Sequence, residues 1–234
     1  MELEENKIKE EATSIVDIKH GRFKELSWYD PNFDLIVGGV GGIGSWLSFL
    51  LARAGYRLYL FDDDIIDESN MAGQLYQIKN IGMSKAAAMQ ANILDFSDNS
   101  KIELLGRYEK DSETCPITFS CFDNMAARKM LFENWRKQKD RSIFIDGRML
   151  AEGFQIYSVV AGREEAYVET LFDDSEVGEQ PCSAKATSHC AAIISGIMMG
   201  IFTNHQANIK LNLYHRDVPF LTIFEIPLIT LKTK

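Results

Sequence analysis

The chain has 234 residues, of which 46% are hydrophobic and 25% are charged, and its formal net charge is -9. This length suits one domain with at most a small appendage, and the composition is that of an ordinary globular protein. The acidic excess argues against a general binder of nucleic acid or of anionic membranes, because phosphate groups would be repelled. A local site for one nucleotide remains compatible with it.

Two further properties bear on the protein's location. Residues 1–11 are acidic and lack the basic start of a secretory signal, and the longest apolar stretch, residues 190–202, is shorter than the roughly 20 residues that cross a bilayer. No C-x-x-C pair is present, which argues against a disulfide framework. The cysteines are Cys115, Cys121, Cys182 and Cys190. We therefore expect a cytoplasmic protein that does not insert into membranes.

The N-terminal lead-in, residues 1–30, is distinguished from the main domain, residues 31–234. Its first twenty residues are polar and predicted to be helical. It continues with aromatic residues suited to packing on the main domain, namely Phe23, Trp28 and Tyr29.

The main domain begins with alternating strands and helices. The predicted strands are residues 34–40, 57–61, 102–108, 117–122 and 142–146. The predicted helices are residues 45–54, 85–96 and 125–139, with Ser45 and Ser84 as caps of the first two. Such alternation is typical of a Rossmann-like, doubly wound, mostly parallel sheet.

The alternation ends after residue 150. Neighbouring strands are predicted at 154–161 and 166–171, followed by an acidic loop at 173–181 and a buried helix at 187–202. Residues 210–214 and 220–226 are expected to form a closing, hairpin-like pair. The predicted fold class is therefore α/β with antiparallel strands at the C-terminal end of the sheet.

A glycine-rich turn, Gly39-Val40-Gly41-Gly42-Ile43-Gly44, follows the first predicted strand and leads into the first helix. Gly39, Gly41 and Gly44 have the G-x-G-x-x-G spacing of dinucleotide-binding turns. Glycine permits the tight turn and lets a phosphate approach backbone N–H groups at the helix start. The turn, including Gly42, is therefore predicted to bind a nucleotide.

Three charged residues follow the turn, and two of them, Asp64 and Lys85, favour ATP over NAD. Asp62 ends the second strand, where Rossmann-type sites place an acid against ribose hydroxyls for either nucleotide. The second acid, Asp64, precedes a polar segment that runs from Ser69 to Gln74. Lys85 begins a helix, where a cation opposes the helix dipole, so contact with a triphosphate explains it better than helix stability does. A solvated surface lysine is the alternative.

Asp123 follows the fourth predicted strand. The carboxyl ends of strands form the ligand crevice of open α/β sheets, and magnesium prefers hard oxygen ligands together with a triphosphate. Asp123 is therefore the candidate magnesium ligand. It is also placed to cap the helix at 125–139, and the two roles are compatible.

The chain resembles the ThiF/MoeB/HesA family of ubiquitin-activating-type enzymes over roughly residues 35–131, in four ordered segments: GVGGIGSWLSFLLARAG, LFDDDIIDESNMAGQ, IGMSKAAA and SCFDNMAARKML. The resemblance implies ATP and magnesium, a homodimer or pseudodimer, and adenylation of the C-terminal glycine of a ubiquitin-like or sulfur-carrier protein. By position, Asp62 would hold the ribose and Asp123 the magnesium. The phosphates would be lined by Asn70, Gln74 and Lys85.

The chain departs from the family in three ways. Gly73 stands where the family usually has a phosphate-binding arginine; the candidates to replace it are Arg22, from a partner subunit, Arg53 and Arg148. The paired C-x-x-C motifs of zinc-binding members are absent, so we expect no zinc. The length also leaves no room for a separate catalytic-cysteine or ubiquitin-fold domain.

Cys182, in the segment QPCSAK, resembles the thioester-forming cysteines of the family. The neighbouring Lys185 would lower the pKa of the thiol and raise its thiolate fraction. Cys182 is thus a candidate nucleophile, and it joins Lys85 and Asp123 as the predicted catalytic residues. The alternative is that Cys182 is an ordinary core residue.

The main hypothesis is adenylation of a carrier protein's C-terminal carboxylate, with or without thioester transfer to Cys182. A second hypothesis is adenylation of another carboxylate or nucleotide-dependent modification of an RNA base, and a third is an NAD-dependent oxidoreductase. The fourth is a catalytically impaired nucleotide-binding subunit of a pseudodimer. Gly73 favours this last hypothesis, whereas the presence of Asp62, Lys85 and Asp123 argues against it.

Overall fold

The computed structural model describes residues 23–97, 101–150, 152–173, 187–213 and 216–234. The predicted helical start of the lead-in and nearly all of the predicted acidic loop lie outside these ranges, as do Arg22, Cys182 and Lys185. In the described part of the lead-in, three aromatic rings pack on one another with centroids 4.9 to 5.8 Å apart; they belong to Phe23, Trp28 and Tyr29.

The described residues contain one eight-stranded sheet. Its strands are β1 (Asp34–Gly38), β2 (Arg57–Phe61), β3 (Ile102–Leu105), β4 (Ile117–Ser120), β5 (Ile143–Leu150), β6 (Gly153–Val159), β7 (Leu221–Glu225) and β8 (Thr230–Thr233). Their order across the sheet is β3-β2-β1-β4-β5-β6-β7-β8. The pairings from β3 to β5 are parallel and those from β5 to β8 are antiparallel, which confirms the predicted fold class.

Helices cover both faces of the sheet. They are α1 (Gly42–Arg53), α2 (Lys85–Ser97), α3 (Met125–Arg136), α4 (Glu164–Val168) and α5 (Ser188–Lys210). Alternate residues of β1 point to opposite faces, so Leu35 and Val37 pack with α1, α2 and α5, whereas Ile36 packs with α3 and α4. None of the helices in the described ranges combines the length and apolar content needed to cross a membrane.

Two predictions after residue 150 were wrong. Residues 166–171 do not form a strand: α4 covers the first half of this segment. Tyr167 inserts into the core between the sheet and α3, while Glu164 pairs with Arg141 at 2.8 Å. Within the predicted strand 210–214, the described residues 210–213 do not pair with β7 either. Helix α5 continues to Lys210, beyond the predicted end at 202, and β7 pairs with β8 across a turn containing Ile229 at φ 48°.

Helix α5 supports the parallel half of the sheet through Phe202. Its ring is fully buried and makes edge-on contacts with Tyr56 and Phe119, at centroid distances of 5.3 and 5.7 Å. Since α5 also packs against α1, this contact helps to fix the helix that begins at the glycine turn.

Phe202→Ala is expected to lower the free energy of unfolding by about 3–5 kcal/mol, because a large ring is lost from a close-packed core. Ile193→Ala changes a partly exposed side chain on the same helix and should cost no more than about 1 kcal/mol. Urea unfolding of both variants measures the two effects. Equal destabilisation by the two substitutions would contradict this assignment of the core.

Candidate functional site

The glycine turn lies where the strand order changes direction, between β2 and β4. Strand β1 pairs with both, and the N–H of Gly39 donates to the carbonyl of Phe61 at 2.8 Å. On the other side, the N–H of Cys121 donates to the carbonyl of Gly38 at 2.7 Å. The turn therefore lies between the segments that carry Asp62 and Asp123, in the crevice where open α/β sheets bind ligands.

Two glycines of the turn are explained by packing within the chain. Gly39 has φ +85°, a left-handed conformation that side chains disfavour, and a Cβ there would come within 3.0 Å of the Cys121 carbonyl group. A Cβ on Gly44 would overlap the carbonyl oxygen of Gly39. Glycine at these two positions lets α1 begin directly against the end of β1.

Gly41 is not explained in that way. Among the described atoms, a Cβ at Gly41 would meet only the side-chain nitrogen of Gln74, at 4.0 Å. Helix α1 begins at Gly42, without a side-chain cap among the described residues, so the prediction that Ser45 caps the helix was wrong. Open space beside an uncapped helix N-terminus suits a phosphate group.

Asp62 holds the turn through its carboxylate. The Oδ2 atom accepts the N–H of Val40 at 2.8 Å, and Oδ1 accepts the N–H of Asp64 at 2.9 Å. Burial raises the pKa of Asp62 above its usual value, although the charge of Lys85 and the two N–H donors oppose the rise. The predicted ribose-binding acid is thus fixed in place by the backbone of the turn.

Lys85 is a buried lysine whose position depends on Asp64. Its Nζ lies 2.7 Å from Asp64 Oδ2, and its backbone N–H donates to the Asp64 carbonyl at 3.0 Å. The lysine side chain is 9% exposed and the Asp64 side chain 66%. One carboxylate leaves the ammonium group two further donor positions, so Lys85 can contact a phosphate while Asp64 orients it.

Asn70 lies in a short 3-10 helix, Glu68–Ala72, that follows β2. Its side-chain oxygen accepts the N–H of Asp67 at 3.2 Å, and the Asp67 carboxylate accepts the N–H of Ser69 at 2.7 Å. This reciprocal capping arrangement uses the carbonyl side of the Asn70 amide to shape the loop. Phosphate binding by Asn70 stays a prediction.

Hydrogen bonds hold the segment after Asn70 against the start of α1, and the sequence analysis did not predict them. The Trp46 Nε1 donates to the carbonyl of Gly73 at 3.1 Å, and the Tyr76 hydroxyl donates to the carbonyl of Val40 at 2.6 Å. The Ser45 hydroxyl accepts the N–H of Leu75 at 3.0 Å. The sequence does contain a signal for these contacts. Trp46 and Tyr76 lie next to the glycine turn and the SNMAGQ segment, and buried Trp and Tyr side chains need hydrogen-bond partners.

Gln74 carries an unsatisfied buried atom next to the open face of the turn. Its Oε1 is buried and has no hydrogen-bond partner within the described residues, while its amide nitrogen faces Gly41. A buried polar atom without a partner is costly, and a bound ligand or water relieves the cost. The amide nitrogen is a donor that could bind a phosphate oxygen at the open side of Gly41, whereas Oε1 is an acceptor that a water or a ligand hydroxyl or amino group could satisfy.

Asp123 is exposed at the end of the segment that follows β4. Asn124, not Asp123, caps α3, because its side-chain oxygen accepts the N–H of Ala127 at 2.8 Å. Within the described ranges, no three His, Cys, Asp or Glu side chains form a metal-binding group. One carboxylate suits magnesium that draws its other ligands from phosphates and water.

The two described arginines proposed as replacements at Gly73 are engaged elsewhere. Arg53 ends α1, roughly 16 Å along the helix from Gly42, and donates to the carbonyl of Phe96. Arg148 donates to Asp146 at 2.7 Å and to the carbonyl of Thr170 at 2.9 Å. The positions of Arg53 and Arg148 therefore do not support the prediction that either replaces the arginine missing at Gly73.

Three described cysteines are free and buried, namely Cys115, Cys121 and Cys190. Burial raises the pKa of the Cys115 thiol to about 12 and that of the Cys190 thiol to about 11, and also raises that of Cys121. Thiols of this kind are poor nucleophiles at neutral pH. The thioester hypothesis therefore stays with Cys182, outside the described residues.

Gly41→Ala tests whether the open face of the turn holds a ligand. The added methyl group should weaken ATP binding about tenfold or more, because it keeps a phosphate away from the backbone N–H groups. Isothermal titration calorimetry measures this loss, and the melting temperature should change little. Gly44→Ala is the contrast, since its Cβ overlaps Gly39 and should destabilise the fold by at least about 2 kcal/mol. Unchanged ATP binding in the Gly41 variant would contradict the assignment.

Solved structures share this architecture at low sequence identity. The crystal structure of PaaA covers 93% of this chain, with a TM-score of 0.68 at 16% identity, and the match covers 68% of the PaaA chain. Escherichia coli MccB crystallised with ATP covers 87% of this chain, with a TM-score of 0.62 at 12% identity, over 64% of the MccB chain. At these identities the likeness establishes the fold.

Curated relatives match shorter segments. Ubiquitin-like modifier-activating enzyme 5 of Caenorhabditis elegans is 32% identical over 110 residues, which is 39% of this chain and 26% of the relative. A probable molybdopterin-synthase adenylyltransferase of Porphyra purpurea is 37% identical over 72 residues, 30% of this chain and 19% of the relative. A tRNA threonylcarbamoyladenosine dehydratase of Bacillus subtilis is 36% identical over 73 residues, 30% of this chain and 29% of the relative. The match thus spans less than a third of each relative's length.

The family assignment rests on a longer match than any of these relatives provides. The model of the ThiF family matches residues 32–226, which include every strand from β1 to β7 and the whole glycine turn. The residues that shape the turn, from Gly39 to Asp62, lie inside this range, so the chain belongs to the ThiF family.

Proposed function

We propose that this protein adenylates the C-terminal carboxylate of a ubiquitin-like or sulfur-carrier protein, using ATP and magnesium. The observation that carries the proposal is the open face of Gly41 at the uncapped start of α1, beside the Gln74 amide nitrogen and between the segments that carry Asp62 and Asp123. A nucleotide placed there would have its phosphates at the start of α1 and its ribose near Asp62.

The names of the relatives support the type of reaction. One relative is named as an activating enzyme for a ubiquitin-like modifier, and another as an adenylyltransferase for molybdopterin synthase. MccB, which shares the fold, was crystallised with ATP. Adenylation, which the second of these names states, consumes a nucleotide of the kind that the glycine turn would bind.

In the proposed reaction, a carboxylate oxygen of the carrier attacks the α-phosphorus of ATP. A bond forms between that oxygen and the α-phosphorus. The bond from the α-phosphorus to the oxygen that bridges the α- and β-phosphates breaks, so pyrophosphate leaves and an acyl-adenylate remains. Two anions must be brought together, so positioning and charge neutralisation dominate the barrier. Magnesium, when bound at Asp123, neutralises phosphate charge.

The described residues would contact different parts of the nucleotide. The N–H groups at the start of α1 would receive a phosphate, and Lys85, oriented by Asp64, would supply a cation from a buried position. Asp62 would hold the ribose hydroxyls while it keeps the turn in place. Asn70 and Gln74 would line the phosphates, as the family resemblance implies.

We further propose a homodimer in the cytoplasm, because the family resemblance implies a partner subunit and the cysteine usage suits a reducing compartment. The net charge of -9 would favour a carrier with a basic face. Thioester transfer from the adenylate to Cys182 is a second step of the proposal.

ATP–pyrophosphate exchange with candidate carrier proteins tests the first step. Exchange should require magnesium and a carrier that ends in glycine, and Asp123→Ala should reduce it about 100-fold or more, because one charge-stabilising ligand is removed. Asp140→Ala is the control, since Asp140 is an exposed acid before β5, at the opposite edge of the sheet. Equal exchange in the two variants would contradict the magnesium role of Asp123.

Other outcomes of the same assay favour the alternatives. Tight ATP binding without exchange would favour the impaired subunit of a pseudodimer, which the buried Gly73 in place of an arginine suggests. Exchange stimulated by tRNA instead of a carrier would favour RNA modification, in line with the relative named as a tRNA dehydratase. Binding of NADH in preference to ATP would favour an oxidoreductase.

The thioester step predicts an adduct between enzyme and carrier that is cleaved by thiol reductants. Cys182→Ala should abolish this adduct, whereas Cys190→Ala should retain it, because the Cys190 thiol is buried with a raised pKa of about 11. Non-reducing electrophoresis separates the adduct from free enzyme. An adduct that persists in the Cys182 variant would place the nucleophile elsewhere.

A further inference from the structure

A buried charged network lies beside the segment that carries Asp123, and the proposed reaction does not use it directly. Its centre is Asp146 on β5, whose side chain is 0% exposed. Arg128 on α3 and Arg148 on β5 both bind this carboxylate, and the Tyr167 hydroxyl donates to it at 3.0 Å. The arginines hold the pKa of Asp146 below its usual value against the effect of burial.

Arg128 joins three parts of the fold through one guanidinium group. It donates to Asp146, to the carbonyl of Gly147 at 3.0 Å, and to the carbonyl of Phe122. Phe122 immediately precedes Asp123, so the peptide bond between the two residues is tied to β5. On the other side of Asp123, Asn124 is fixed by its cap of α3.

Arg148 completes the pairing of Asp146 from the opposite side. Its Nε lies 2.7 Å from Asp146 Oδ2, and its other nitrogens donate to the carbonyl and hydroxyl oxygens of Thr170 at 2.9 and 3.0 Å. The guanidinium group also stacks over Tyr157, with its carbon 4.4 Å from the ring centroid. Asp146 is thereby held in one orientation for its bond with Arg128.

Such a network is an inefficient way to stabilise a fold. Taking charges out of water costs about as much as their pairing returns, and apolar residues of similar volume stabilise a core equally well. What a guanidinium adds is directional geometry, since its planar fork fixes the groups that it binds. Here the group that lies nearest to a predicted site residue is the Phe122 carbonyl.

We propose that Arg128 and Asp146 are positioning residues that set the place of Asp123 and, through it, the magnesium affinity of the nucleotide site. This inference rests on the proposed function, because Asp123 acts as a magnesium ligand only there. Arg148 contributes to the same buried charged network, since it orients Asp146.

ATP binding with and without magnesium tests the inference in Arg128→Lys, which keeps the charge but lacks the planar fork that reaches three acceptors on two segments. Calorimetry in EDTA should give an ATP affinity within about twofold of wild type, whereas the gain in affinity on adding magnesium should fall about tenfold or more. Arg141→Lys is the matched control. Arg141 binds Glu164 through two nitrogens at 2.8 and 3.0 Å, just before β5 at the opposite edge of the sheet, and should leave both values unchanged.

Amide hydrogen exchange provides a second readout that needs no nucleotide. In Arg128→Lys, exchange should accelerate at Cys121 and Ala127, whose bonded N–H groups flank Asp123, while the β1 amides stay protected. If wild-type protein binds no ATP, the proposed function fails and the exchange pattern alone decides the positioning role. An unchanged pattern together with an unchanged magnesium gain overturns the inference, and so does faster exchange across the whole sheet, which indicates a structural role only.

Discussion

The contact between Gly39 and Gly44 is the constraint on which the site depends. The carbonyl of Gly39 lies where a Cβ of Gly44 would be, so α1 can begin directly at the end of β1 only if both positions are glycine. Gly39 is at the same time enclosed by the segments that follow β2 and β4. A single turn therefore brings the start of α1, Asp62 and the Asp123 segment to one edge of the sheet.

Hydrogen bonds hold the rest of the site in place on both sides of this turn. On one side, Asp62 and Tyr76 bind the two backbone groups of Val40, and Trp46 holds the following segment at Gly73. On the other side, Arg128 secures the chain just before Asp123. The turn itself offers an open face at Gly41, which the described residues do not fill. Rigid surroundings and one open position are what a nucleotide site needs, because the binding groups are then ordered before the ligand arrives.

Local patterns explain which features could be predicted from the sequence. Strand β2 was predicted with its observed bounds, and Lys85 was correctly placed at the start of α2, since a short apolar and aromatic run and a serine before a helix are local signals. The position of Tyr167 could not be predicted, because its burial depends on Asp146 from a distant part of the chain. The engagement of Arg148 with Thr170 and the bond between Asn70 and the Asp67 N–H likewise depend on tertiary contacts or loop geometry that residue types alone do not specify.

A crystal structure of the protein with magnesium and a non-hydrolysable ATP analogue is the most direct test of the nucleotide site. The predicted result has a phosphate against the N–H groups at Gly41 and Gly42, a partner for the Gln74 Oε1, the ribose hydroxyls at Asp62 and the metal at Asp123. A nucleotide bound away from the glycine turn, or one that leaves the Gln74 oxygen unpaired and Asp123 without a metal, would contradict it.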